Sequence, residues 1–139
     1  MHYHVYRWRG TATEYQRRHT YESHIDQAAF ARSPVPPLKA CWWLRKPAEA
    51  AAGTYNTAHD AARWLAAEYR AVADTIAVPG LWTADRQEHA ARDLADGRDI
   101  TWSWSLEGDR RAFASAVACS PNRWDPDAAC PLRDRPRHT

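Results

Sequence analysis

Residues 99–106, DITWSWSL, alternate without a break. In an extended chain successive side chains point to opposite faces, so Ile100, Trp102, Trp104 and Leu106 share one face while Thr101, Ser103 and Ser105 share the other. A face of Ile, Trp, Trp and Leu must be covered, and the best covering element is the helix expected over 57–78. There Ala58, Ala61, Leu65, Tyr69, Val72 and Ile76 form one stripe at helical spacing. Thr57 and Asp60 resemble a capping box with Asp in place of Glu, and Pro79-Gly80 stops the run. A half-covered strand and an amphipathic helix imply an α+β fold: a small, mostly antiparallel sheet of three to five strands, with two or more helices packed on one face. The helix is expected to meet Trp42, Trp102 and Trp104 through Leu65, Tyr69 and Val72.

What fills such a core is unusual. Leu, Ile and Val are few, and there are two Phe and one Met against eight Trp, six Tyr and 27 Ala. Large rings with alanine spacers must do the packing, and the polar tips of Trp and Tyr place many of those rings at the edge of the core. The length of 139 residues suits one domain, expected over 1–131, with 132–139 a disordered tail. No internal repeat is present.

Other segments are read by the same rules. Residues 2–9, HYHVYRWR, predict a strand ending at Gly10, with His2, His4, Tyr6 and Trp8 on one face and Tyr3, Val5, Arg7 and Arg9 on the other. Residues 11–22 fit a second strand or a loop. Residues 23–32 suggest a short helix capped by Ser23, ended by Pro34, Pro36 and Pro37. LKACWWLR, 38–45, carries tryptophan on both faces and reads as a central strand. A helix is expected from Thr83 or Ala84 to Ala95, ending at Asp96-Gly97. The run after Asp109 is either a helix over 110–118 or, with Glu107-Gly108-Asp109 as a hairpin turn, a strand; its alanines favour the helix.

The charge is unevenly laid out. Residues 1–47 balance to +5, 48–109 to −6 and 110–139 to +3, and 17 of the 19 basic side chains are Arg. Arg beside aromatic rings in the first segment suggests a non-enzymatic binding or regulatory protein contacting a polyanion, nucleic acid above all. Its contact residues would be Tyr6, Arg7, Trp8, Arg9, Arg17 and Arg18, joined by the basic C-terminal segment. A competing reading is a small enzyme or ligand carrier with an aromatic-walled pocket between sheet and helices. A third is self-association through exposed tryptophans. No GxGxxG, GxxxxGK, GxSxG or HExxH is present, and nothing calls for an organic cofactor. No apolar run long enough to span a membrane and no signal-peptide core are found, so a cytoplasmic protein without membrane contact is expected.

The sharpest short pattern is His2-Tyr3-His4. Two histidines at i and i+2 on a strand point to one face and can grip one metal ion. The pattern resembles the His-hydrophobic-His motif of the HUH nucleases and relaxases, with Tyr where that family has an aliphatic residue. The resemblance implies a divalent metal polarising a scissile phosphate and a helix-borne tyrosine attacking it, here Tyr69 or Tyr21. Cys119 and Cys130 have no His or Cys at the close spacing of a zinc motif and read as thiols, with a bridge between them a lesser option. Cys41 reads as a buried, inert thiol.

Overall fold

The computed structural model describes residues 1–78, 85–119 and 121–132. Four strands form one antiparallel sheet: β1 (His2–Thr11), β2 (Gly53–Tyr55), β3 (Ile100–Leu106) and β4 (Arg110–Cys119), in the order β2-β1-β4-β3. Three α-helices pack on it: α1 (Ala12–Glu22), α2 (Ala58–Val72) and α3 (Arg86–Ala95). This is the α+β architecture that the alternation of 100–106 requires. The proposed start of α3 at Thr83 or Ala84, the Pro79-Gly80 stop and the tail from 133 onward lie outside the described residues.

The sheet is covered on both faces. On one, Tyr3 and Val5 of β1 and Ala114, Ala116 and Ala118 of β4 pack against Ala61, Ala62 and Leu65 of α2 and Ala90 and Leu94 of α3. Alanine at the β4 positions lets two helices approach closely, while Trp102 and Trp104 flank the contact as half-buried rings. Trp104 leans on Tyr69, ring centroids 6.0 Å apart. The other face carries His4, Tyr6 and Trp8 of β1 with Phe113, Val117 and Cys119 of β4. It is covered by α1, by the 3-10 segment Ala40–Arg45 and by residues 122–132.

Four local expectations are corrected. Residues 38–45 are no central strand: Ala40–Arg45 is a 3-10 helix with Cys41, Trp42, Trp43 and Leu44 all buried. Prolines on both sides shorten it, and four consecutive buried residues suit a coil wedged under neighbours better than a pleat. Trp42 accordingly packs with Phe30 and Cys41, not with α2. Residues 12–22 are helix α1, because the Thr11 hydroxyl accepts the Glu14 N–H at 2.9 Å and Arg18 links Glu14 and Glu22 one turn either way. Ser23 is therefore the end of a helix and not the cap of a new one: its hydroxyl donates to the His19 carbonyl at 2.6 Å, and only Phe30–Arg32 beyond it is helical. Residues 110–119 are a strand. Glu107-Gly108-Asp109 turns the chain with Gly108 and Asp109 at positive φ, and alanine's helix preference yields to a position between two strands, buried on both faces.

Helix ends follow their chemistry. Thr57 caps α2 by accepting the Asp60 N–H at 3.1 Å. Gly97, at φ +83, closes α3 with its N–H on Leu94 O and the Arg98 N–H on Asp93 O. Among the described residues no helix is long and apolar enough to cross a membrane.

Candidate metal centre

Register brings the site together. His2 and Cys119 stand opposite each other in the β1–β4 ladder, and His4 stands opposite Thr54 in the β1–β2 ladder. His2 and His4, two apart, project to the same face as Cys119. Cys130 reaches them from the C-terminal segment. That segment is folded back by Asn122, whose amide donates to Ala118 O at 2.7 Å and whose carbonyl accepts the N–H groups of Trp124 and Asp125. The Asp125 carboxylate then accepts from Nε and Nη2 of Arg45 at 2.8 and 2.7 Å.

The result is one ligand atom from each of His2, His4, Cys119 and Cys130, all lying within 4.8 Å of one another. Cys130 Sγ is 3.2 Å from His2 Nε2 and 3.6 Å from His4 Nε2. A tetrahedral zinc with ordinary Zn–N and Zn–S lengths separates its ligand atoms by about 3.3–3.8 Å. None of the three cysteines is in a disulfide. His4 is fully buried, and burial, assisted by the neighbouring His2, holds its imidazole down at about 4, so the ring is neutral at pH 7 and ready to ligate. Its Nδ1 lies 2.9 Å from Thr54 Oγ1. A hydrogen bond there, Nδ1–H donating to the hydroxyl, leaves the Nε2 lone pair facing the cysteines. Tyr6 completes the surroundings: it packs in one cluster with Cys119 and Cys130 and stacks on Trp43 at 4.6 Å. Burial, then the two nearby cysteines, push its hydroxyl above the ordinary phenol range.

The residues expected to contact a polyanion are dispersed. Tyr6 and Trp8 are buried on the α1 face, Trp8 against Tyr15 and Phe113. Arg7 and Arg9 project to the α2 face, where both pair with the buried carboxylate of Glu68 and Arg7 covers Trp64. Arg18 is held between two glutamates, and Arg17 is exposed on α1. Of the tyrosines suggested by the HUH resemblance, Tyr69 lies across the sheet from His2 and His4, and Tyr21 is exposed. Cys41 is buried between Phe30 and Trp42, and burial pushes its thiol up.

The His pair was visible as an i, i+2 pattern; the two cysteines were not. Cys130 is 126 positions from His4, and only the pairing of β1 with β4 makes them neighbours. No protein-family model, curated protein or solved structure matches this chain.

Proposed function

We propose that this protein binds one transition-metal ion, zinc by the chemistry of its donors, through His2, His4, Cys119 and Cys130. We further propose that the ion is structural, fastening residues 122–132 to the sheet. The observation that carries this is the set of four ligand atoms within 4.8 Å, on the buried His4, Cys119 and Cys130 and the half-buried His2. Two imidazoles and two thiols are a donor set that suits a tetrahedral zinc. Two thiolates also neutralise the dication, so the loaded centre carries no net charge into the interior. A two-iron cluster would hold its His pair and Cys pair apart by the length of the cluster, which this compact set does not favour.

All four positions are filled by side chains, the mark of a structural site; catalytic zinc keeps one open for water or substrate. The His pair therefore supports metal binding without the phosphate chemistry of the HUH enzymes. Nucleic-acid contact through Tyr6, Arg7, Trp8, Arg9, Arg17 and Arg18 has less support, since the rings are buried and Arg7, Arg9 and Arg18 are engaged by carboxylates.

The test is metal analysis of the reduced, reconstituted chain together with cobalt substitution. One zinc per chain is expected, with the intense visible absorption of tetrahedral cobalt thiolate, both lost in His4→Ala and Cys130→Ser. A chain that takes up no stoichiometric metal, or that is isolated with a Cys119–Cys130 disulfide and cannot be loaded after reduction, overturns the proposal.

A further inference from the structure

β3 is the outermost strand of the sheet and is paired with β4 along one side. On its outer side residues 75–77 cover one end. Ile76 bridges Leu106, with the Ala77 N–H on Ser105 O and the Glu107 N–H on Thr75 O. That bonding pattern fixes how the strand is turned. Backbone groups of its odd-numbered residues face outward, so the N–H and C=O of Thr101 and Ser103 point away from β4. Among the described residues no strand or bridge pairs with them.

Sheets guard such edges with charged side chains, proline or bulges. β3 has none of these. Its sequence, ITWSWSL, is uncharged and free of proline, and its register with β4 runs unbroken from Ile100↔Ala116 to Leu106↔Arg110. Its apolar face is also incompletely covered. Ile100, Trp102 and Trp104 are half-buried, and a cavity of about 380 Å³ lies between α3 and the side chains of Ile100 and Trp102.

The strand is complementary to itself. Set antiparallel to a second copy about Trp102, it brings Thr101 opposite Ser103 twice, and each of those pairs exchanges two backbone hydrogen bonds. On the apolar face the two Trp102 rings meet across the axis, and Ile100 meets Trp104 of the second copy, pairs of the kind that stabilise sheets. A register centred on Ser103 is blocked, because Ile100 would run into Ile76 of the other copy beside Leu106.

We propose that this protein forms a symmetric dimer by antiparallel β3–β3 pairing about Trp102, joining two four-stranded sheets into one. An isologous contact of this kind closes on itself. None of His2, His4, Cys119 and Cys130 takes part, so the dimer does not rest on the metal centre.

Sedimentation equilibrium of the reduced chain across the micromolar to millimolar range should show a monomer–dimer equilibrium. Because the Ser103 N–H faces outward, Ser103→Pro removes it without breaking the ladder to β4, and should leave a monomer with the wild-type circular dichroism. Charges test the register without altering the backbone. Thr101→Lys with Ser103→Lys sets like charges opposite each other twice across the axis and should weaken the dimer roughly tenfold, whereas Thr101→Glu with Ser103→Lys should restore it. Both variants lose the Thr101–Ser115 hydroxyl contact at 2.9 Å, so the difference between them reports the pairing. A chain that is monomeric at millimolar concentration, a dimer that Ser103→Pro leaves intact, or equal dimer affinity in the two charge variants overturns the proposal.

Discussion

Removing the metal should lower thermal stability by an amount that can be worked out beforehand. A ligand that binds only the folded state stabilises it by RT ln(1 + [L]/Kd), about 4 kcal/mol when free zinc is a thousand times Kd. Globular proteins unfold with about 2.1 cal/mol/K of entropy per residue. For 139 residues this is roughly 0.3 kcal/mol/K, so about 4 kcal/mol corresponds to a Tm shift of about 14 °C. The assay is a set of circular-dichroism or calorimetric melts of the reduced protein in zinc buffers spanning several decades of free ion, with a chelator as the lower limit. Tm should climb by about 5 °C per decade once free zinc exceeds Kd. Cys130→Ser should remove most of that dependence while leaving the chelated protein's Tm nearly unchanged, since a serine hydroxyl can take the place of the thiol beside the His2 and His4 imidazoles. A Tm independent of free zinc in the wild type, or an unchanged zinc dependence in Cys130→Ser, refutes the reasoning.

Three further outcomes follow from buried contacts elsewhere. Lys46 is buried with its ammonium donating to Phe30 O and Ser33 O, both at 2.8 Å, and burial lowers its pKa to about 8. Between pH 8 and the ordinary lysine value near 10.4 the unfolded chain holds the proton that the folded chain has lost. Stability should therefore rise with pH across that window, by at most about 1.4 kcal/mol per pH unit, and denaturant titrations should show this contribution gone in Lys46→Met. Below pH 8 the same variant should be less stable than wild type by about 1–3 kcal/mol, because the Ser33 carbonyl loses its donor. Gly10→Ala should cost about 1–3 kcal/mol in chemical denaturation, because its Cβ would lie 2.5 and 2.7 Å from two carbons of the Trp8 indole, itself wedged against Tyr15 and Phe113. Arg7→Ala should cost more than Glu68→Ala, about 1–2 kcal/mol against less than 1, because water can reach the abandoned guanidiniums, whereas the buried carboxylate keeps only its longer, 3.4 Å contact with Arg9; the reverse order in paired denaturation curves would contradict this.

Alternation made β3 legible, helical spacing α2 and aromatic richness β1, but α2 ends at Val72 and not at the expected Val78, with Ala73–Thr75 a 3-10 turn and Ile76 bridged to Leu106; α3, read with a thin apolar face, buries Ala90 and Leu94 in the core. The misreadings share a cause: local preference was weighed where tertiary position decided. The alanines of 112–118 favour a helix in isolation, yet here they are the shallow floor on which α2 and α3 rest. The two tryptophans of 42–43 suggested a strand covered on both faces, when the flanking prolines leave room only for a short coil buried all round. Helix α1 was within reach, because Thr11 with Glu14 and the Glu14, Arg18, Glu22 spacing are its signals. The choice left open over β4 had the largest consequence. Only the strand reading of 110–118 pairs that run with β1 and stands Cys119 opposite His2; with the helix weighed beside it, the His pair lacked its thiols.

The C-terminal segment is what the proposed centre would fasten. Fixing a residue costs about 1–2 kcal/mol of backbone entropy, and the apolar residues that residues 122–132 bury are Ala128, Cys130 and Pro131. Polar anchors must make up the difference, and they are unevenly placed. Asn122 and the Arg45–Asp125 pair hold the first part of the segment, whereas beyond Asp125 the attachment is the packing of Ala128 and Cys130 and the contact of the Cys130 thiol with His2 and His4, the Ala128 N–H on Asp125 O closing a turn within the segment. Metal removal should therefore loosen the segment in a graded way. In hydrogen exchange, the Ala128 amide should lose protection in the chelated protein, while those of Trp124 and Asp125, bonded to the Asn122 side chain, should keep most of theirs. If all three amides change together the segment behaves as one unit and the ion is not its distal clasp; if none changes, the clasp lies elsewhere in the packing around Tyr6 and Trp43.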